Sequence, residues 1–219
     1  MLNLGRKQKL TVVKKVEFGV YLSESREAAE KERVLIREKQ VPQVTFVGDV
    51  LVVFLSGDSR DRMIATTREP KLTLGGLAVL QVVQTGKIGA FLDWGLEKDL
   101  LLPFREQTVK VHTGDQVLVS LYLDKSSRLC ATMKVYPFLK TNSPYAIGDT
   151  VDGLVYEISG NFGVFVAVDN QYSGLIPKRE AQAGYRVGQN LKLRVTEVKE
   201  DGKLTLSARG KAYEQIRED

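Results

Sequence analysis

The sequence predicts an all-β protein made of three small five-stranded barrels in tandem, and three observations carry that prediction. A pattern of about 70 residues occurs three times along the 219-residue chain. Nearly every regular apolar run within it is rich in Val, Leu, Ile, Thr and Tyr, the composition of strands rather than helices. Gly, Asp, Asn and Ser punctuate those runs at short intervals, as turns between strands require. Length alone would allow one or two domains, but an internal repeat takes precedence because it fixes the unit that must fold.

Each copy opens with a strand, Leu10 to Val16, Leu77 to Val83 and Val151 to Ile158. It then reaches a glycine set among aromatic or apolar residues: Phe18-Gly19-Val20-Tyr21, Ile88-Gly89-Ala90-Phe91 and Phe162-Gly163-Val164-Phe165. A second apolar run follows, Val34-Leu35-Ile36, Leu100-Leu101-Leu102-Pro103 and Gly174-Leu175-Ile176-Pro177. Next, a glycine with a polar partner (Gly48-Asp49, Gly114-Asp115, Gly188-Gln189) starts a long strand: Gly48 to Leu55, Gln116 to Leu123 and Leu191 to Val198. In the last of these, Leu193 and Val195 alternate with Lys192, Arg194 and Thr196, the period of a half-buried strand. A hairpin into a small-residue strand closes each copy, at Met63 to Thr67, Leu129 to Thr132 and Leu204 to Ser207. Five short strands expose two edges unless they close on themselves, and the closed five-stranded Greek-key barrel is the OB-fold.

Boundaries are expected where proline meets charge, at Glu69-Pro70 and from Tyr136-Pro137-Phe138 through Asn142-Ser143-Pro144. The predicted units are residues 1–70, 73–140 and 145–210, with 211–219 as the start of a C-terminal helix. A second helical stretch is expected at Ser23 to Arg33, read as a solvated insertion. Units of this size bury only about 60% of their unfolded surface, so the barrels are expected to brace one another across short linkers.

Hydrophobic content of 43% and charged content of 27% are ordinary for a soluble protein. No run of about 18 apolar residues is present to span a membrane. The opening Met1-Leu2-Asn3-Leu4-Gly5-Arg6-Lys7 lacks the apolar stretch of a secretory signal. The lone Cys130 has no partner for an internal disulfide, and its place in an alternating strand predicts a small buried residue. A cytoplasmic protein is the expectation. The net charge of +5 divides as +3 for residues 1–70, +3 for 71–142 and −1 for 143–219. A mild basic excess suits a polyanionic partner without identifying one.

Catalysis finds little in these residues. His112 is the only histidine, and with one cysteine neither a nucleophile–base pair nor a zinc site can be assembled from the chain. No GxxxxGK[ST] loop is present and the acidic residues are scattered. No enzyme activity, metal or cofactor is expected.

The repeated Phe-Gly-Val-Phe, the Gly-Leu-Ile run, the Gly-Asp strand start and the Leu-x-Leu-Ser ending resemble the RNA-binding module named after ribosomal protein S1. Val151 to Arg209 matches that pattern throughout. Gly89-Ala90-Phe91-Leu92-Asp93-Trp94-Gly95 and the following residues to Gln107 resemble the second module of CvfB-type (YitL-like) bacterial regulators. Thr11-Val12-Val13-Lys14, Phe18 to Leu22 and Ile64 to Thr67 resemble their first module. Proteins of that type string three such modules before a winged-helix domain, which has no counterpart here. The histidine that members often carry after the Gly-Leu-Val run is replaced by Arg37, Pro103 and Pro177.

The resemblance implies an outward aromatic and basic face. An exposed ring offers a surface on which any base can stack, and neighbouring cations then track phosphates. The candidates are Phe162 and Phe165, Phe18 and Tyr21, and Phe91, which stands alone because Ile88 replaces its partner. Rings in small barrels also serve as core, and the sequence leaves both roles open. Strict alternation would put Phe162 and Phe165 on opposite faces, so a bulge or bend at Gly163 is required if both are to meet RNA. After the fourth strand the family places a basic residue preceded by an acid. The aligned pairs are Asp58 with Arg62, Asp124 with Arg128, and Lys199 with Lys203. Lys178 and Arg179 are candidates for phosphate contacts, and Trp94 is expected to wedge between barrels. The function expected is non-catalytic binding of single-stranded RNA, with a regulatory role in gene expression implied by the resemblance. The alternative is an interaction scaffold docking on the ribosome, RNA polymerase or a ribonuclease.

Overall fold

Alternation along the strands decides which side chains meet inside each barrel. A computed structural model describes residues 1–182 and 184–209. The first barrel comprises β1 (Lys7–Val16), β2 (Gly19–Ser23), β3 (Val34–Arg37), β4 (Val50–Gly57) and β5 (Met63–Thr66). The second comprises β6 (Leu77–Thr85), β7 (Gly89–Asp93), β8 (Leu100–Pro103), β9 (Gln116–Leu123) and β10 (Leu129–Thr132). The third comprises β11 (Thr150–Ser159), β12 (Gly163–Val168), β13 (Tyr172–Pro177), β14 (Asn190–Val198) and β15 (Leu204–Ser207). In β4, Leu51, Val53 and Leu55 point inward with Leu10, Val12 and Ile36, leaving Val50, Val52 and Phe54 on the outer row.

The first and third barrels close in the order β1-β2-β3-β5-β4 and its equivalent. Closure comes from one parallel pairing, Ile36 with Ala65 and Gly174 with Leu204. The second runs β10-β9-β6-β7-β8 and lacks that last ladder. Glu106 bridges its gap instead: Thr132 Oγ1 donates to its carboxylate at 2.7 Å and the Met133 amide to its carbonyl at 2.9 Å.

Two different seams join the barrels. Between the first and second, Trp94 is 4% exposed and meets Phe54 edge to face at 5.7 Å. Its Nε1 donates to the Lys98 carbonyl at 2.7 Å. Between the second and third, Leu118, Val135 and Leu139 pack on Leu154, Tyr156 and Ala167. Thr108 Oγ1 donates to the Tyr156 carbonyl across that seam at 3.1 Å. Cys130 is buried in β10.

Ser23 to Arg33 is not helical. Only a 3-10 turn at Glu30–Glu32 forms there, because the segment has no apolar stripe to pack and Ser23 caps its own loop through the Ser25 amide. The helix expected at 211–219 lies outside the described residues. Among the described residues no helix is long and apolar enough to cross a membrane.

Candidate nucleic-acid interface

The glycine common to the three copies fixes the geometry of the face. Gly163 has φ +125°, and a Cβ there would lie 2.1 Å from the Ile176 carbonyl oxygen. A Cβ on Gly19 or Gly89 would come equally close, 2.0 Å and 2.3 Å, to the Ile36 and Leu102 carbonyl oxygens, at φ +153° and +149°. Only glycine allows the neighbouring strand to approach so closely. The bulge expected at Gly163 is elsewhere, in the partner strand, where the register of β11 shifts between Val155 and Glu157. Phe162 precedes β12 in a turn and so escapes strand alternation. Its ring lies beside that of Phe165, centroids 6.2 Å apart. Phe162 is 63% exposed and Phe165 half-buried.

A third ring joins them from the linker. Tyr136, in the 3-10 turn Tyr136–Phe138, stands edge-on to Phe165 at 5.8 Å. Lys203 Nζ lies 5.3 Å from the Tyr136 centroid and 3.2 Å from Asp201. The Tyr136 hydroxyl and the Asp201 carboxylate hold the Lys203 pKa above the ordinary lysine value, so this cation stays charged. Tyr136, Phe162, Phe165, Leu175, Lys199 and Lys203 line an open cavity of about 580 Å³. Tyr136 was not among the sequence candidates, because it lies outside the repeat; its one signal was the Tyr-Pro-Phe at the boundary. Lys178 and Arg179 occupy the exposed 3-10 turn Lys178–Glu180, outside that lining. The Lys178 amide donates to the Phe162 carbonyl at 3.1 Å, which steadies the ring's backbone.

The hairpin turns are superimposable in their bonding. The amides of Asp58, Asp124 and Lys199 donate to the carbonyls of Arg62, Arg128 and Lys203 at 2.8, 2.9 and 2.9 Å. In the first barrel the turn's acid holds the basic residue: Arg62 Nε and Nη2 both lie 2.9 Å from Asp58 Oδ2. Burial works against the Asp58 charge, but donation by the Arg62 and Arg60 amides and the Arg62 side chain outweighs it and lowers its pKa. Asp124 treats Arg128 likewise at 3.2 Å, with its pKa lowered in the same way. In the third barrel Lys199 replaces that acid, and Lys203 pairs with Asp201 instead while reaching over Tyr136.

Phe18 is 57% exposed and edge-on to Tyr21 at 6.5 Å, so the first barrel carries a ring pair as well. In the second barrel Phe91 and Arg128 share a cavity of about 170 Å³ with Leu4 and Asp61 of the first, which borders that face. Among the described residues, no group of three or more His, Cys, Asp or Glu side chains is placed to hold a metal.

Small OB-type barrels with an outward aromatic and cationic face define a class of nucleic-acid-binding modules. The S1 domain model matches residues 4–68 and 74–134, and the model for the second domain of virulence regulatory factor CvfB matches 140–210. The chain belongs to the S1-domain family, and its third barrel matches the CvfB second-domain model. The CvfB second domain thus corresponds to the third barrel, not to the Gly89–Gln107 stretch of the second that suggested it. The chain is 24% identical to the uncharacterized protein YitL of Bacillus subtilis, over 93% of this chain and 69% of YitL. It is 22% identical to conserved virulence factor B of Staphylococcus saprophyticus and of Staphylococcus aureus, covering 79% of this chain and 60% of theirs. A multidomain protein with nucleic acid binding domains from Streptococcus pneumoniae shares the fold, with TM-score 0.61 and 21% identity over 95% of this chain and 75% of that one.

Proposed function

We propose that this chain is a non-catalytic, cytoplasmic single-stranded RNA-binding protein that regulates gene expression, and that the third barrel is its principal RNA face. The observation that carries this reading is the cavity ringed by Tyr136, Phe162 and Phe165 with Lys199 and Lys203 at its edge. Rings stack on bases of any identity and lysines follow the backbone, so binding tolerates sequence. Lys178 and Arg179 extend the basic path on the exposed turn after β13.

Titration with fluorescent oligo(U), oligo(A) and duplex DNA tests the reading. Single strands bind and the duplex binds less well, and log affinity falls with log salt at a slope of about −0.7 for each phosphate contacted. Binding that ignores salt, or that prefers the duplex, contradicts it.

A scaffold role on the ribosome, RNA polymerase or a ribonuclease has one observation in its favour. The outer row of β4 runs from buried Phe54 in the seam to Val52 and Val50, 57% and 59% exposed, with Val44 and Phe46 exposed beyond. An apolar row continuous with an interface suits a further protein contact. Binding to purified RNA polymerase that is lost on Val50→Lys with Val52→Lys, while oligo(U) affinity stays unchanged, would favour the scaffold.

A further inference from the structure

The first two barrels carry the same glycine, turn and strand framework as the third, yet their cations meet carboxylates from each other. In the first barrel Gly19 and Tyr21 of β2 lie opposite Arg37 and Leu35 of β3. Opposed residues of an antiparallel pair share a face, so Arg37 stands on the face that bears Tyr21. The Glu38 amide donates to the Phe18 carbonyl at 2.9 Å, which brings Phe18 to the same corner. Glu97 of the second barrel occupies the cations there. Its Oε2 lies 3.3 Å from Arg37 Nη1 and its Oε1 2.9 Å from Lys39 Nζ. Lys39 foremost, then Arg37 and Arg68, lower the Glu97 pKa, so the carboxylate is fully charged near neutrality.

The converse contact comes from the first barrel's own hairpin. Asp61 adopts a left-handed backbone conformation, φ +57°, at the tip of the turn between β4 and β5. Its Oδ1 lies 2.9 Å from Lys98 Nζ and its Oδ2 3.9 Å from Arg128 Nη1, both of the second barrel. Arg128 holds the turn position that Lys203 holds in the third barrel. Two oxygens of one anion spread over two cations is also how a phosphate is gripped. In the third barrel, among the described residues, the carboxylate on Lys203 is Asp201 of its own hairpin, and no neighbouring barrel supplies one.

We infer that Glu97 and Asp61 are internal phosphate surrogates: each sits on the cations of the neighbouring barrel's face and thereby confines single-stranded RNA to the third barrel. The inference rests on the reading of these faces as RNA-binding. Exposed ion pairs contribute little to stability, and Trp94 against Phe54 holds this seam independently. The two carboxylates therefore act on the potential that RNA meets, more than on the fold.

The test uses the full chain, oligo(U) and single substitutions. Glu97→Gln raises affinity about three- to tenfold at low salt and steepens the log–log salt slope by about 0.7 per phosphate gained. Adding Phe18→Ala removes that gain, because the freed cations flank Phe18. Asp61→Asn gives a smaller gain, since Asp124 still holds Arg128. Asp152→Asn, which removes the same charge from the exposed pair with Lys192 on the third barrel, changes affinity little. In a chain carrying Phe162→Ala and Phe165→Ala, Glu97→Gln restores part of the lost binding. An equal gain from Asp152→Asn, or no gain from Glu97→Gln, overturns the inference while leaving the third-barrel reading intact. That reading fails separately if the double-ring variant binds as tightly as the parent.

Discussion

Replacing Phe162 and Phe165 together with alanine weakens oligo(U) binding by roughly 2–6 kcal/mol, the loss of two bases stacked at about 1–3 kcal/mol each. The expectation follows from placement rather than from ring count. Phe162 is largely exposed in the turn before β12, so its removal takes nothing from the apolar core. Phe165 is half-buried and also contacts Tyr156 at 6.0 Å and Tyr136 at 5.8 Å, so its truncation loosens the seam with the second barrel to some degree. Phe162→Ala alone separates the two effects, because it should lower affinity without moving the denaturation midpoint. Parallel titrations and urea melts of the single and double variants read both quantities. Unaltered affinity in the double variant means that these rings are not the stacking platform.

What the sequence disclosed about this face was local. The glycines at 19, 89 and 163 were legible because each answers a contact with the strand beside it, and that contact recurs with the repeat. The alignment of Arg62, Arg128 and Lys203 was legible because one turn with one hydrogen-bond pattern sets all three. Strand positions followed from alternation and turn residues, with ends displaced by one to three residues, as at Lys7, Val50 and Gly57. What lay outside the repeat was not legible. Tyr136 reaches the cavity from a linker, and no periodicity marks a linker residue as part of the next barrel's face. The contacts of Glu97 with Arg37 and of Asp61 with Lys98 depend on how two barrels are set against each other, which neither propensity nor pattern encodes. The missing ladder between β8 and β10 is of the same kind, since a parallel closing pair has no sequence signature of its own. Ser23 to Arg33 misled for the opposite reason: its composition suits a helix in isolation, but it has no apolar face with which to dock one.

Trp94→Ala should destabilise the pair formed by the first two barrels by about 3–5 kcal/mol, the range for emptying a buried large aromatic site. Its ring covers Phe54, whose own exposure is 1% although it stands on the outer row of β4; without Trp94 that ring faces a cavity or water. The Lys98 carbonyl also loses the Nε1 donor that helps to shape the loop carrying Glu97. Three packed barrels need not unfold in one step, so the loss should appear in the transition that reports the first seam. Trp94 is the only tryptophan, and its fluorescence follows that transition in the parent chain. For the variant, hydrogen exchange at the β4 and β7 amides serves instead. Oligo(U) affinity of the still-folded fraction should not fall, because the third-barrel cavity is lined by none of these residues. If Trp94→Ala instead cuts RNA affinity as deeply as the paired phenylalanine substitutions while exchange at β4 stays slow, Trp94 stacks on a base and does not act as the wedge between barrels.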